Sequence, residues 1–496
     1  MGIIFHVDVN SAFLSWSALQ RLQEDPHAVD LRTIPSAVGG DVATRHGIIT
    51  AKSIPAKKFG VQTGEPVVKA LQKCPDLVLV RSDFAVYRSY SKQFISILHE
   101  YTDIVQQVSI DEAYLDVTQI VRQRAGESIA SEETGGEMQG RQTQKDVPVS
   151  ETAEREAALQ LAAEIRDAVR TRLGFTVNVG ISTVKILAKM ASDFRKPDLT
   201  HTLYPEEIGE KMWPLPIGEL HGCGEKTAQK LELLGILTIG DAARTDKALL
   251  QANLGQKAGE YIWNSANGIG SSTVHTEEEK AKSYSNETTT SEDITADNYE
   301  EKAPEIVRKL SARVAQRLQK DSARGTTVFV SVKTDDFRRR SRQTAVLSAT
   351  NDEERIFAAA QDLLRHLLFD GGIFDEGHGI RLIGVGVTGL EEGEYRQEDL
   401  FEWLRANAVS SASADDGQRT EELKPEESEI KEPGTEESET AESEIEEPET
   451  GESEFEEPEI EETEQKAPAK QEKLEQMMSR IRQKFGENSI RKGAEE

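Results

Sequence analysis

Over the first 120 residues, apolar and polar positions follow two rhythms. Ile3-Ile4-Phe5-His6-Val7-Asp8-Val9 is a nearly continuous apolar run closed by a carboxylate, which predicts a buried strand over 2–9. Ser11, Ala12 and Phe13 open the helix that follows. A hairpin is expected around Gly39-Gly40 and Ile48-Ile49-Thr50, with a helix over Val67–Lys73 and a strand over 77–80. A helix over 83–100 then leads to a second acidic hairpin over 104–117.

Residues 122–150 are rich in Gly, Glu, Gln, Ser and Thr without periodicity and read as a surface-loop insertion. Helical spacing resumes with Leu159, Leu161, Ala162, Ile165 and Val169, predicting a helix over 152–173. A strand over 175–181 feeds a helix over 183–193, and 205–272 reads as all-helical with glycine punctuation. Residues 280–392 alternate strand, helix (301–319), two strands (326–334, 342–349), helix (352–368) and strand (380–388). Short helices are expected over 402–407 and 470–486, the latter with Leu474, Met477, Met478, Ile481 and Phe485 on one stripe.

The chain has 496 residues, enough for three or four domains. Its net charge of −30 argues at face value against a nucleic-acid partner. The distribution changes that. Residues 406–466 hold 24 acids and 4 bases, so −20 of the charge sits in one segment and −10 in all the rest. That segment repeats a Glu-Ser-Glu unit ending in Pro at 433, 448 and 458, and cannot bury enough apolar surface to fold alone. It reads as a disordered, solubilising tether, with mimicry of a polyanion as the competing reading. Cys74 and Cys223 are too few for a disulfide framework and have no metal-type spacing, which favours a reducing compartment. The N-terminal MGIIFHVDVNSAF lacks the basic region and apolar run of a signal peptide, and no apolar stretch is long enough to span a membrane.

The two acidic strands carry the chemistry. Asp8 closes the first, and Val108-Ser109-Ile110-Asp111-Glu112-Ala113-Tyr114-Leu115-Asp116-Val117 forms the second. Burying a carboxylate on an apolar strand is costly unless it is neutralised. Mg²⁺ suits that role, since it prefers a few carboxylates plus substrate phosphates. Two such strands side by side would build a two-metal site for phosphoryl or nucleotidyl transfer.

The ordered motifs HVDVNSAFLSW (6–16), GIITAKSIPAKKFGV (47–61), SIDEAYLD (109–116), VNVGISTVKILAKMASDFRKP (177–197), LHGCGEKTAQKLELLGILTIGDAA (220–243) and DDFRRRSRQT (335–344) resemble a known family. Together the chain resembles a Y-family, DNA polymerase IV-type translesion polymerase over about 1–401, the 122–150 insertion excepted. The resemblance implies an α+β multidomain right-hand polymerase. It would have a ferredoxin-like palm (1–11 and 83–200), small fingers (12–82), a helical helix-hairpin-helix thumb (201–272) and an α/β little finger (280–392), with a disordered acidic tail. It implies error-prone, template-directed synthesis past damaged bases, in the cytoplasm at the nucleoid, by a monomer.

Residue by residue, Asp8, Asp111 and Glu112 match the family's catalytic carboxylates, with the Val9 carbonyl as a further ligand for two Mg²⁺ ions. Phe13, five residues after Asp8, matches a steric gate against the ribose 2′-hydroxyl of an incoming dNTP. Lys189 matches a triphosphate ligand. Lys57 stands where the family has Arg, and Ile54 where it has Tyr, so the triphosphate side departs from the pattern. Gly222 and Gly224 resemble a hairpin whose backbone N–H groups hold a phosphate of primer–template DNA. Arg338, Arg339, Arg340 and Arg342 would grip the DNA backbone from one strand. Gln397, Leu400 and Phe401 resemble the anchors of the bacterial sliding-clamp-binding pentapeptide. Three rival readings stay open: a polymerase V-type catalytic subunit needing accessory proteins, a palm-domain nucleotidyl cyclase, and a catalytically weak DNA-binding scaffold.

Overall fold

The computed structural model describes residues 2–40, 47–133, 150–277, 280–369 and 371–392, with side chains inside the element ends described to 127 and 391. The expected helices at 402–407 and 470–486, the acidic segment 406–466 and the pentapeptide 397–401 lie outside the described residues.

The first part of the chain forms β1 (Ile4–Val9), α1 (Ala12–Glu24), β2 (Ser36–Gly39), β3 (Ile49–Lys52), α2 (Ile54–Lys58), α3 (Val67–Lys73), β4 (Val78–Val80), α4 (Phe84–His99), β5 (Val105–Gln107) and β6 (Glu112–Asp116). It continues with α5 (Thr118–Glu133), α6 (Glu151–Leu173), β7 (Val177–Ser182), α7 (Lys185–Asp193) and β8 (Thr200–Thr202). One five-stranded sheet has the order β5-β6-β1-β7-β8, so β1 is central. Both of its neighbours run antiparallel to it.

Alternation along β1 divides its side chains between two faces. Phe5, Val7 and Val9 join a core with Tyr87, Phe94 and Leu98 of α4 and Leu161, Ile165 and Val169 of α6. Ile4 packs on the other side, against Ala188 of α7 and Val274. Gly180 of β7 lets α7 lie close: a Cβ there would stand 1.9 Å from the Ala188 carbonyl oxygen. The ends of α6 follow its sequence. Ser150 caps the N-terminus through the Ala153 N–H, and Gly174 ends the helix at φ 77°.

The stretch 122–150, expected to be a loop insertion, divides. Residues 122–133 continue α5, and 134–149 lie outside the described residues. Val121 and Ala125 reach the core, and Arg122 and Arg124 pair with Glu154 and Glu164 of α6.

A small sheet of order β3-β2-β4 stands beside this core. Helix α1 joins the two: Ala12 and Trp16 pack in the larger core, while Leu14 and Ala18 pack with Leu31, Val38 and Ala51 of the smaller.

The helical module holds α8 (Ile208–Lys211), α9 (Glu225–Leu233), α10 (Ile239–Arg244), α11 (Lys247–Leu254) and α12 (Gln256–Ala266). Its core includes Met212, Leu231, Ile239, Leu250 and Ile262 and reaches Leu187 and Met190 of α7. The last described module comprises β9 (Ser283–Ile294), α13 (Tyr299–Lys320), β10 (Ala323–Thr334), β11 (Arg339–Thr350), α14 (Glu353–Leu368) and β12 (Ile380–Glu392). Its antiparallel sheet has the order β11-β10-β12-β9, with Val328, Val330 and Val332 of β10 packed against Leu310, Val314, Leu363 and Leu364 of the two helices. No helix of the described residues is long and apolar enough to cross a membrane.

Candidate active site

The two acidic strands of the sequence meet as neighbours. Asp8 and Glu112 are direct partners in the β1–β6 ladder. Asp111 precedes β6, and its carbonyl accepts from the Val9 N–H at 3.0 Å. Three carboxylates from positions about a hundred residues apart are thereby held at one end of the sheet.

Two lysines from the α7 side face them. Lys189 Nζ is 2.5 Å from Glu112 Oε1 and 3.5 Å from Asp8 Oδ2. Lys196 Nζ is 2.5 Å from Asp8 Oδ1 and 2.9 Å from Asp193 Oδ1. Asn178 of β7, the partner of Asp8 on the other side of β1, fixes the segment that carries Lys196. Its amide donates to the carbonyls of Ser192 at 3.0 Å and Arg195 at 2.7 Å. Below Asp8 on the same face, His6 contacts the Ser192 hydroxyl through Nδ1 at 2.8 Å. Its Nε2 faces Glu112 Oε2 across 3.6 Å.

Burial governs the electrostatics. It pushes the Asp8 carboxyl up to about 7 against the pull of Lys196, and pushes the His6 imidazole down to about 4. Burial also opposes charge on Glu112, but His6, Asp8 and the Lys189 ammonium outweigh it and hold that carboxyl below the usual range. The same carboxylates outweigh burial at Lys189 and keep its ammonium above the usual lysine range. Asp111 is raised, chiefly by burial, with the Ser109 hydroxyl opposing at 2.7 Å. Among the described residues Asp111 has no ammonium or guanidinium partner. A cluster of hard oxygen donors in which one carboxylate feels the Lys189 charge only from beyond ion-pair distance fits a divalent cation of the Mg²⁺ type.

The remaining expected residues fall on three other elements. Phe13 sits in the first turn of α1, its ring stacked on Tyr87 (4.6 Å between centroids, 13° between planes) and edge-on to Phe84. Lys57 is exposed on α2, beside Lys52. Burial, and then the Lys57 charge, pull Lys52 below the usual lysine range. Lys52 Nζ donates to Thr63 Oγ1 at 3.0 Å, and Ile54 is half exposed. Gly222 adopts φ 81° against the Tyr261 ring, and Gly224 is the N-cap of α9, with no side chain covering the helix end.

The arginines do not share one face. Direct cross-strand partners project to the same side. Arg340 and Arg342, opposite Val332 and Val330, lie on the helix side of the sheet, whereas Arg339, opposite Lys333, lies on the open side. Arg338 is in the preceding turn. Arg339 is bound to Glu287 at 2.7 Å, and Arg340 lies 3.8 Å from Glu376.

Sequence reading singled out neither Lys196 nor His6 nor Asn178. The available signals were the Arg195-Lys196-Pro197 triplet straight after α7 and the i−2 position of His6 relative to Asp8. A second group with metal-type donors, Asp335, Asp336 and His378, was also missed. It is separate from the carboxylate cluster and staples the β10–β11 turn: His378 Nδ1 meets Asp335 Oδ1 at 2.9 Å, and Thr334 bonds Asp336.

Comparison with known proteins bears on this arrangement. The model of the impB/mucB/samB family matches residues 7–193, and the model of that family's C-terminal domain matches 281–400. A model described as the DNA polymerase-iota thumb domain matches 218–270. The chain is 38% identical over 403 residues to DNA polymerase IV of Clostridium acetobutylicum, covering 81% of this chain and 90% of that one. It is 36% identical over 402 residues to DNA polymerase IV 1 of Bacillus subtilis, covering 80% and 85%. The solved structure of a Y-family DNA polymerase chimera superposes with a TM-score of 0.62 at 23% identity, over 79% of this chain and 100% of that one.

Proposed function

The chain belongs to the Y-family DNA polymerases, in the impB/mucB/samB family alongside DNA polymerase IV, and from that premise we propose how its own residues serve the reaction. It is a metal-dependent, DNA-directed DNA polymerase that extends a primer 3′-hydroxyl from dNTPs, error-prone and past damaged bases. The observation that carries the site assignment is the Asp8–Glu112 pair, with Asp111 beside it in the adjoining turn.

Asp8, Asp111, Glu112 and the Val9 carbonyl would hold two Mg²⁺ ions. When bound, such ions lower the pKa of the primer hydroxyl and neutralise charge on departing pyrophosphate. Lys189, expected from the resemblance to meet the triphosphate, is 7% exposed and paired with Asp8 and Glu112, and we assign it instead to compensating the carboxylates. Lys196 is the more open of the two lysines, at 34% side-chain exposure. It swings from Asp8 toward the triphosphate once the carboxylates have another counter-charge. Lys52 and Lys57 meet the triphosphate from the fingers side, and Phe13 lies under the sugar, where it blocks a 2′-hydroxyl.

The bare end of α9 behind Gly222 and Gly224 suits a DNA phosphate. Arg338, Arg339, Arg340 and Arg342 contact DNA phosphates from both sides of an edge strand. Gln397, Leu400 and Phe401 are assigned to a bacterial sliding clamp on their sequence alone. A monomer acting in the cytoplasm at the nucleoid is proposed from the likeness to bacterial DNA polymerase IV. The direct test is primer extension with Mg²⁺. Asp111→Ala is expected to abolish it while primer–template binding persists; extension at the unaltered rate would reject the assignment.

A further inference from the structure

Ile4, His6 and Asp8 occupy alternate positions of β1 on the side of α7. His6 is fully buried directly behind the carboxylates, with the Tyr114 ring edge-on at 4.7 Å. Its Nε2 has no hydrogen-bond partner among the described residues, although the nitrogen faces Glu112 Oε2 at 3.6 Å. The other oxygen of Glu112 is taken by Lys189 at 2.5 Å.

A buried ring nitrogen without a partner is costly. A lone pair on Nε2 would also face an anionic oxygen. The Ser192 hydroxyl lies 2.8 Å from both the Lys189 carbonyl and Nδ1 and can give its one proton to either. With that proton turned to Nδ1, Nε2 carries the ring proton and both ring contacts become attractive. The 3.6 Å separation has to shorten to the usual length of about 2.9 Å for a full hydrogen bond.

We propose that His6 is a positioning residue for Glu112: its Nε2–H holds Oε2, so that Oε1 stays turned toward the metal when Lys189 gives that oxygen up. Ser192 holds the ring plane from behind through its 2.8 Å contact with Nδ1. Histidine–carboxylate pairs around metal sites act in this way, and their loss typically costs about 10- to 100-fold in metal affinity.

The inference rests on the reading of Glu112 as a metal ligand, and the experiment separates the two. Mn²⁺ binding to the full chain, without DNA or nucleotide, is followed by the electron paramagnetic resonance signal of the free ion. The site is defined as the binding lost in Asp111→Ala. Melting temperatures in EDTA are recorded in parallel. His6→Leu removes the donor and should weaken Mn²⁺ about 10-fold or more. His6→Gln places an amide N–H where Nε2–H stands and should recover most of that loss. Equal Mn²⁺ affinity in His6→Leu and the unaltered chain, with only the melting temperature changed, overturns the proposal. Should His6→Leu fail to fold, His6→Asn, which donates from the Nδ1 position instead, takes its place; equal affinities for His6→Asn and His6→Gln then overturn it. Glu112→Gln is the control. If it leaves Mn²⁺ binding intact, the ligand reading itself fails; if it weakens binding while His6→Leu does not, only the positioning role fails.

Discussion

Lys189 Nζ stands 2.5 Å from Glu112 Oε1, in a pocket where the lysine is 7% exposed. The pair joins α7 to β6 and makes one buried ammonium the counter-charge of two strands. Removing one member of a buried ion pair strands the other, at a cost of about 3–5 kcal/mol. Lys189→Met should therefore melt well below the unaltered chain in EDTA. Mg²⁺ should recover part of the loss, because a divalent ion supplies the missing charge. Thermal melts with and without Mg²⁺ check this; equal melting temperatures in EDTA would show that the lysine compensates nothing.

Phe13 is held flat against Tyr87 and edge-on to Phe84, so its ring has little room to swing aside. A rigid ring under the sugar is what discrimination against a 2′-hydroxyl requires. Phe13→Ala should raise ribonucleotide incorporation relative to deoxynucleotide by about 10- to 100-fold in kcat/KM, the range of steric pocket effects. An unchanged ratio of the two kcat/KM values would remove Phe13 from this role.

Gly222 has φ 81°, and an added Cβ would meet the Tyr261 ring at 2.4 Å. Gly222→Ala is expected to distort the turn that exposes the start of α9 and so to weaken primer–template binding several-fold. The maximal rate at saturating DNA should change little. Fluorescence anisotropy and single-turnover extension give the two quantities; a fall in rate with intact DNA affinity would contradict the assignment.

The arginines of β11 should separate in a salt titration. Each lost phosphate contact lowers the log–log slope of affinity on salt by about 1. Arg342→Ala should show that change in full. Arg339→Ala should show less, because Arg339 is already engaged by Glu287 at 2.7 Å. Slopes that stay equal to that of the unaltered chain in both variants would take this strand out of the DNA interface.

Gly180 tests the seat of α7. A Cβ there would lie 1.9 Å from the Ala188 carbonyl oxygen and 2.5 Å from the Ser192 nitrogen, both backbone. Backbone cannot give way as a side chain does, so Gly180→Ala should cost about 3 kcal/mol or more. It should also lower activity by displacing Lys189. Urea unfolding would measure the first effect; a loss below 1 kcal/mol would mean that the helix can lift without penalty.

Much of this was legible in the residues. Strong local patterns marked β1, β6, α6 and β7, because apolar runs and helical spacing are written in consecutive positions. Asp8, Asp111 and Glu112 stood out as carboxylates against such runs. The supports were not legible, because they come from pairing across long separations. Asn178 matters only because it lies opposite Asp8, and Lys196 only because its Nζ reaches a carboxylate 188 positions away. The facing of Arg339, Arg340 and Arg342 depended on the β10–β11 register, which the sequence does not state. The helical run 122–133 was missed for another reason. Among its described side chains, 122–127, Ala125 reaches the core one turn after Val121, and Arg122 and Arg124 pair with α6, so little apolar period announces it. Near Ile54, which stays half exposed, the positive charge comes from the neighbouring Lys52 and Lys57, the pair proposed above for the triphosphate.

The alternation of β1 has one more consequence. The residues that seal the hydrophobic core, Phe5, Val7 and Val9, and those that face α7, Ile4, His6 and Asp8, are interleaved on a single strand. Sliding that strand by one position against β6 or β7 would turn every side chain to the wrong side at once. A misthreaded chain would therefore lose its interior together with its chemistry. Inactive molecules in a preparation should be found among the unfolded ones, and titrating competent active sites amounts to counting natively folded chains.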